Sequence, residues 1–315
     1  MSGKSRNPEK PYDKLTVGIA PDSWGVWFPE DDKQVNWQTF LDEVAEAGYE
    51  VIETGPFDFL PTDPEVLQAE CAKRGIRVVA GTQFGILHRP EAWEQTEREM
   101  RANASVLKAV GAHHLVYLPP MLRDLQTGGW AEDPNLSDAN WKLLAGNANR
   151  LGKLLKEDYD VTMVVHPHGD SHIENREQID RFFAETDPEY VSFCLDTGHL
   201  EYGEVDTVDL IRSYPDRIGL VHIKQMDPEV VQRVRRENLS FGEAVSLGVC
   251  VTPDAGQPKV GAVIDALAAL DKELYVIVEQ DLYPCAPMFP SPWPSRPAGS
   301  WPTTTSASTE PRRRS

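Results

Sequence analysis

A chain of 315 residues accommodates either two ordinary domains or one α/β barrel. With 40% hydrophobic and 26% charged residues it encodes a globular core, and no apolar run approaches the roughly 18 residues that a bilayer requires, which argues for a soluble protein without a membrane partner. The formal charge of −19 repels phosphate backbones and anionic surfaces, so nucleic acid is excluded as a partner and a phosphorylated substrate would need a local basic pocket.

Residues 1–14 are polar and lack the apolar stretch of a secretory signal, which predicts a flexible N-terminus and a protein that stays in the cytoplasm. The four cysteines, Cys71, Cys194, Cys250 and Cys285, form no CxxC pair. They read as buried small hydrophobes in a reducing compartment rather than as a disulfide framework or a structural zinc site. A homo-oligomer is compatible with these features and specified by none of them.

In chain order, short apolar runs at residues 15–20, 49–53, 76–81, 114–118, 161–165, 191–195, 218–223 and 274–278 predict eight strands. Between most of them apolar residues recur at helical spacing, as in WQTFLDEVAEAG, where Trp37, Phe40, Leu41 and Val44 share one face. Gly48 and Gly75 stop the first two helices just before the next strand, where a helix end favours a residue tolerant of positive φ. Strands such as VTMVV, YVSFCL and LYVIV are continuously apolar, the mark of a parallel sheet covered on both faces.

The alternation predicts an α/β fold closed as a (β/α)8 TIM barrel over residues 15–284, with an open doubly wound sheet as the competing architecture. The turn after the first strand, GIAPDSWGVW, lacks the glycine spacing of a dinucleotide site. Two segments depart from the repeat. Residues 226–258 predict an extra helical insertion after strand seven that overhangs the strand ends, either as a lid or as an inert excursion. From Cys285 onward Pro, Ser, Thr and Arg dominate, which predicts a disordered, irregular C-terminal tail over residues 285–315 in place of helix eight. A reading-frame change near Ala286 and a natural tail would both produce so abrupt a switch.

Ionisable groups follow one strand after another. Strand two ends in Glu53, strand three leads to Gln83 and His88, strand five to His166 and His168, strand six to Asp196 and His199, strand seven to His222 and Lys224, and strand eight to Glu279 and Asp281. All C-terminal strand ends of a parallel barrel lie on one face, so these residues are expected to converge there. A single His or Asp at a strand end is more often a cap than a ligand, but four strands ending this way favour a site. Imidazoles with carboxylates suit a borderline divalent ion with positions left open for substrate oxygens. No GxSxG, GxxxxGKS or HExxH pattern offers another machinery.

In order around eight strands, His222, Asp196 with His199, and Glu279 resemble the xylose-isomerase-like superfamily of TIM barrels. The segments GIAPDSWGVW, ETGPFDFLP, HPHGDSHIE, LDTGHLEYG, VHIK and VEQDLYPC narrow the resemblance to its inosose dehydratase family, over roughly residues 15–285. The resemblance implies a hydro-lyase of inositol catabolism that eliminates water from 2-keto-myo-inositol, a small polyhydroxylated ketone, to give a trihydroxycyclohexane-dione. It implies Mn²⁺ or Co²⁺ held by His166, Asp196, His222 and Glu279, with Glu53 or His199 transferring protons and Trp24, His168 and Lys224 contacting substrate. Many relatives carry a Glu where this chain has His166, which leaves the first ligand open between His166, His168 and water. A sugar isomerase or epimerase working through the same enediolate is the rival reading, and a sugar-binding protein without catalysis a further one.

Overall fold

The computed structural model describes residues 12–125 and 127–283, so the expected flexible N-terminus lies almost wholly outside the described residues, and the expected irregular tail wholly so. Eight parallel strands close into a barrel: β1 (Leu15–Ile19), β2 (Val51–Pro56), β3 (Arg77–Phe84), β4 (His114–Leu118), β5 (Thr162–Val165), β6 (Val191–Asp196), β7 (Ile218–Ile223) and, as the last barrel strand, β10 (Leu274–Val278). Sequential strands are neighbours, and closure is made by β1 against β10 in five register pairs from Leu15↔Leu274 to Ile19↔Val278. The open doubly wound sheet is thereby excluded, and all eight strands fall on the apolar runs.

Two apolar layers follow from the alternation of side chains. Inside the barrel lie Val51, Val79, Val116, Val164, Cys194, Leu220 and Ile277, all buried. Outside it the second faces of the strands meet the helices α1 (Trp37–Glu46), α2 (Pro64–Ala72), α3 (Trp93–Val110), α4 (Asp138–Tyr159), α5 (Arg176–Glu185), α6 (Thr197–Tyr202), α7 (Thr207–Ser213) and α10 (Val260–Ala269) in one continuous core. Asn36, Asp63 and Ser137 cap the N-termini of α1, α2 and α4 by accepting from backbone amides, which fixes where each crossover begins. Gly48 and Gly75 take positive φ, 84° and 69°, as their positions after α1 and α2 require.

The insertion after β7 carries the expected extra helices together with short strands. It contains a two-stranded antiparallel ribbon, β8 (Gln225–Met226) with β9 (Cys250–Val251), around α8 (Pro228–Glu237) and α9 (Phe241–Ser246). Strands of two residues carry no readable period. The insertion has its own apolar cluster, in which Met226, Val234, Phe241, Ala244 and Val249 pack with Tyr202 of α6. No helix among the described residues is long and apolar enough to cross a membrane.

α4 runs close to the turn before β6, and a Cβ on Gly152 would stand 2.3 Å from the Tyr190 carbonyl oxygen. Gly152→Ala therefore sets helix propensity, worth about 1 kcal/mol in favour of Ala, against a backbone clash that costs about 1–3 kcal/mol. Because the obstacle is backbone, the clash is expected to win. Urea unfolding should show a net loss of up to about 2 kcal/mol.

Candidate metal and substrate site

Barrel closure carries the last residues of β2, β5, β6, β7 and β10 to one mouth, around a cavity of about 550 Å³. His166 follows β5, Asp196 ends β6, His222 lies in β7 and Glu279 follows β10. All four are buried, and one donor atom of each lies within 4.8 Å of the others. Residues 113 positions apart along the chain, from His166 to Glu279, thus form one cluster.

The distances show how these charges are kept. Asp196 Oδ2 is 3.2 Å from His166 Nε2 and 3.6 Å from His222 Nδ1, and its Oδ1 accepts the backbone amide of His199 at 2.8 Å. Burial alone would raise the pKa of Asp196, but Lys224, His199 and the bonds from His166 and His222 hold it well below the usual carboxylate range. His222 lies between two carboxylates, with Nε2 2.9 Å from Glu53 Oε2 and Nδ1 3.0 Å from Glu279 Oε2. Burial opposes its charge, yet Cys194, Glu279, Glu53 and Asp196 around it raise its pKa well above the ordinary value.

Lys224 is the central cation. Its Nζ is 2.9 Å from Asp281, 3.1 Å from Glu279 and 3.4 Å from Asp196. Burial would discharge an isolated lysine, but Asp196, Asp281 and Glu279 keep it protonated, well above its usual pKa. Its backbone is held by Thr197, whose hydroxyl donates to the Lys224 carbonyl and accepts the Lys224 amide, at 2.6 Å and 2.9 Å.

The remaining imidazoles are sorted by the backbone. The Gly169 amide donates to His199 Nδ1 at 2.9 Å, so that nitrogen holds a lone pair and Nε2 carries the hydrogen. His168 is the opposite case: its Nδ1 faces the Gly169 carbonyl at 2.7 Å and must carry the hydrogen, leaving Nε2 as the acceptor. Burial, followed by the charge of neighbouring imidazoles, keeps both neutral, His168 at about 3 and His199 well below the usual value. Their rings lie 4.0 Å apart under Phe241 of the insertion, 4.9 Å and 4.8 Å from its ring.

Glu53 lines the same cavity and accepts from the Thr82 hydroxyl as well as from His222. Burial works against its ionisation, but His222 and Thr82 outweigh it and lower its pKa. Gln83 also lines the cavity. His88 does not join the cluster; it sits against Glu132, 3.3 Å away, and His172.

Trp24 is a correction. Expected to line the pocket, it is 4% exposed, packs edge-on against Phe40 of α1 and donates its indole N–H to Glu43 at 2.5 Å. The 3₁₀ turn of Pro21–Trp24 directs the indole outward into the helix layer. The cavity wall there is formed by Asp22 and Trp27, neither of which periodicity singles out. Trp27 stacks on Tyr283 at 5.1 Å and on Phe241 at 6.5 Å, so the rim is aromatic while the floor is ionic.

The donor set fits a divalent ion. Tetrahedral bonds of about 2.1 Å would place four donor atoms about 3.4 Å apart, against a spread of up to 4.8 Å here. Glu53 fixes the orientation of the His222 ring through Nε2, leaving Nδ1 turned toward the cluster. Asp281 gives Lys224 a counter-charge outside the ligand set.

Comparison with known proteins agrees with this architecture. The family model described as xylose isomerase-like TIM barrel matches residues 41–292. An inosose dehydratase of Geobacillus thermodenitrificans (strain NG80-2) is 31% identical over 275 residues, covering 86% of this chain and 91% of the relative. An inosose dehydratase of Clostridium tetani (strain Massachusetts / E88) is 30% identical over 283 residues, with the same coverage of 86% and 91%. Among solved structures, IOLI protein with a bound zinc atom superposes with a TM-score of 0.66 at 16% identity, covering 85% of this chain and 90% of that one. D-psicose 3-epimerase of Clostridium cellulolyticum H10 superposes with a TM-score of 0.61 at 16% identity, covering 84% of each chain. Matched over most of its length by the family model and by relatives at 30% identity or more, the chain belongs to the xylose isomerase-like TIM barrel family.

Proposed function

We propose that the protein is a hydro-lyase that eliminates water from a small polyhydroxylated ketone, 2-keto-myo-inositol, with a divalent cation, Mn²⁺ or Co²⁺, held by His166, Asp196, His222 and Glu279. The observation that carries the reading is the convergence of two imidazoles and two carboxylates from β5, β6, β7 and β10 on the floor of a cavity of about 550 Å³. The substrate class rests on the relatives named inosose dehydratase that align along nine-tenths of their own length. When bound, the ion supplies a Lewis acid for the ketone oxygen and an adjacent hydroxyl, a contribution of several kcal/mol.

Elimination beside a ketone needs a base for the α-proton and a donor for the departing hydroxyl. Glu53 is assigned as the base, because it stays ionised and faces the cavity with lone pairs beyond those given to Thr82 and His222. His199 is assigned to the donor side together with Lys224, because its Nδ1 is occupied by the Gly169 amide and its Nε2 lies beside the Lys224 ammonium, 3.3 Å away, in the cavity lining. His168 presents the complementary acceptor edge, and Lys224 adds a cation near the ketone end. Trp27 and Phe241 on the cavity wall, with Tyr283 stacked against Trp27, would cover the apolar C–H face of a cyclohexane ring and exclude water.

Purified protein incubated with 2-keto-myo-inositol and Mn²⁺ or Co²⁺ is expected to form a dione, detected as a product lighter than the substrate by one water. Formation of an epimer instead would make it an isomerase, and no change with any ketone of a panel would remove catalysis altogether. Chelator should abolish turnover and re-addition of the ion restore it.

Asp196→Ala and His222→Ala are each expected to lose the bound ion, as read by elemental analysis after dialysis, and to lose turnover by at least about a thousand-fold while far-UV circular dichroism is unchanged. Retention of both ion and turnover by either variant would place the site elsewhere. Glu53→Gln keeps an oxygen for the His222 N–H, so it should retain the ion while kcat falls about 10²- to 10⁴-fold.

A further inference from the structure

Asp22 is left over when the proposed chemistry has been assigned. It sits in the short 3₁₀ turn that follows β1 and lines the same cavity as His166, His222 and Glu279. Both of its carboxyl oxygens are buried, and neither has a hydrogen-bond partner among the described residues. Its own backbone carbonyl is occupied by the Gly25 amide at 2.9 Å, so the turn is satisfied without the side chain. A buried carboxyl with nothing to bond is costly, and such a group in a cavity implies a ligand that supplies the missing partner.

The turn is held in place. A Cβ on Gly55 of β2 would stand 2.3 Å from the Pro21 ring, so Pro21 lies directly on β2. The Ser23 hydroxyl accepts the Gln280 amide at 3.1 Å, which ties the turn to the segment after β10. Asp22 is therefore carried on a fixed support between two residues anchored to opposite neighbours of β1.

We propose that Asp22 is a specificity-determining residue that hydrogen-bonds one hydroxyl group of the polyol substrate, so that the cavity selects rings bearing a hydroxyl at that position. This rests on the polyhydroxylated ketone assigned above and names the group that reads part of it. Glu279 and Asp281 from the β10 end and Lys224 and His222 from β7 face Asp22, and Glu53 of β2 lines the same wall. Burial, with the like charges of Glu279 and Asp281, pushes the Asp22 carboxyl well above its ordinary pKa. A neutral carboxyl has one donor and one acceptor, which matches a hydroxyl, itself both donor and acceptor. An amide of the same shape offers the same pair.

The test compares wild type, Asp22→Asn and Asp22→Ala in the ion-loaded protein, using 2-keto-myo-inositol and its mono-deoxy analogues. Wild type should discriminate strongly against one analogue. Asp22→Ala should raise KM for the parent compound about 10- to 100-fold, with a smaller change in kcat, and should no longer discriminate against that analogue. Asp22→Asn should stay within about threefold of wild type in KM and keep the discrimination, and its ion content should match wild type. Calorimetric binding of the unreactive polyol myo-inositol gives the same comparison without turnover.

Equal KM and equal analogue discrimination in Asp22→Ala and wild type would overturn the assignment while leaving the dehydratase reading intact. If Asp22→Ala fails to fold, Asp22→Asn with kcat lost and KM unchanged would overturn it as well. Wild type that neither binds nor turns over any of these rings overturns the substrate reading, and this inference with it.

Discussion

Asp196, Glu279, Asp281 and Glu53 are buried at one end of the barrel, where an uncompensated carboxylate costs several kcal/mol, and the structure answers this with two internal cations. Lys224 lies against three of those carboxylates and His222 against Asp196, Glu53 and Glu279. Everything else at the mouth depends on that balance. The buried carboxylates at the mouth are like charges that a barrel with its strand ends on one face brings together, and that these cations of the protein hold there. The same balance separates the histidines, since His222, set between carboxylates, carries charge and the pair beneath Phe241 is kept neutral.

Much of this was readable before any coordinates, because a parallel barrel turns a one-dimensional pattern into a spatial one. The apolar runs located all eight barrel strands, and the ionisable residues following strands two, five, six, seven and eight became mouth residues because the C-terminal ends lie on one face. His166, Asp196, His222 and Glu279 meet for that reason alone. Where the chain leaves the regular elements the pattern gives no direction: in the turn after β1 the sequence drew attention to Trp24, yet the indole is in the helix layer and Asp22 faces the cavity. The ribbon inside the insertion is likewise too short to show alternation.

Proton placement was not legible either. Whether His199 or His168 offers a lone pair is decided by which backbone group of Gly169 each ring meets, the amide or the carbonyl. Two histidines with similar sequence contexts, each near a strand end, therefore acquire opposite hydrogen-bonding faces from one glycine. Side-chain type sets the repertoire, and main-chain geometry chooses from it.

The pairing of β1 with β10 joins the earliest and the latest barrel strands to be synthesised. A nascent chain emerging from the ribosome holds three of the four clustered donors long before the fourth, because Glu279 directly follows the strand that seals the ring. Until that segment leaves the exit tunnel, Lys224 lacks two of its three counter-charges and the apolar edge of β1 has no mate. Maturation of the mouth is thus a late event in biogenesis, tied to completion of the wall that encloses it, and truncated translation products would carry an exposed, unneutralised half-site for quality control to recognise.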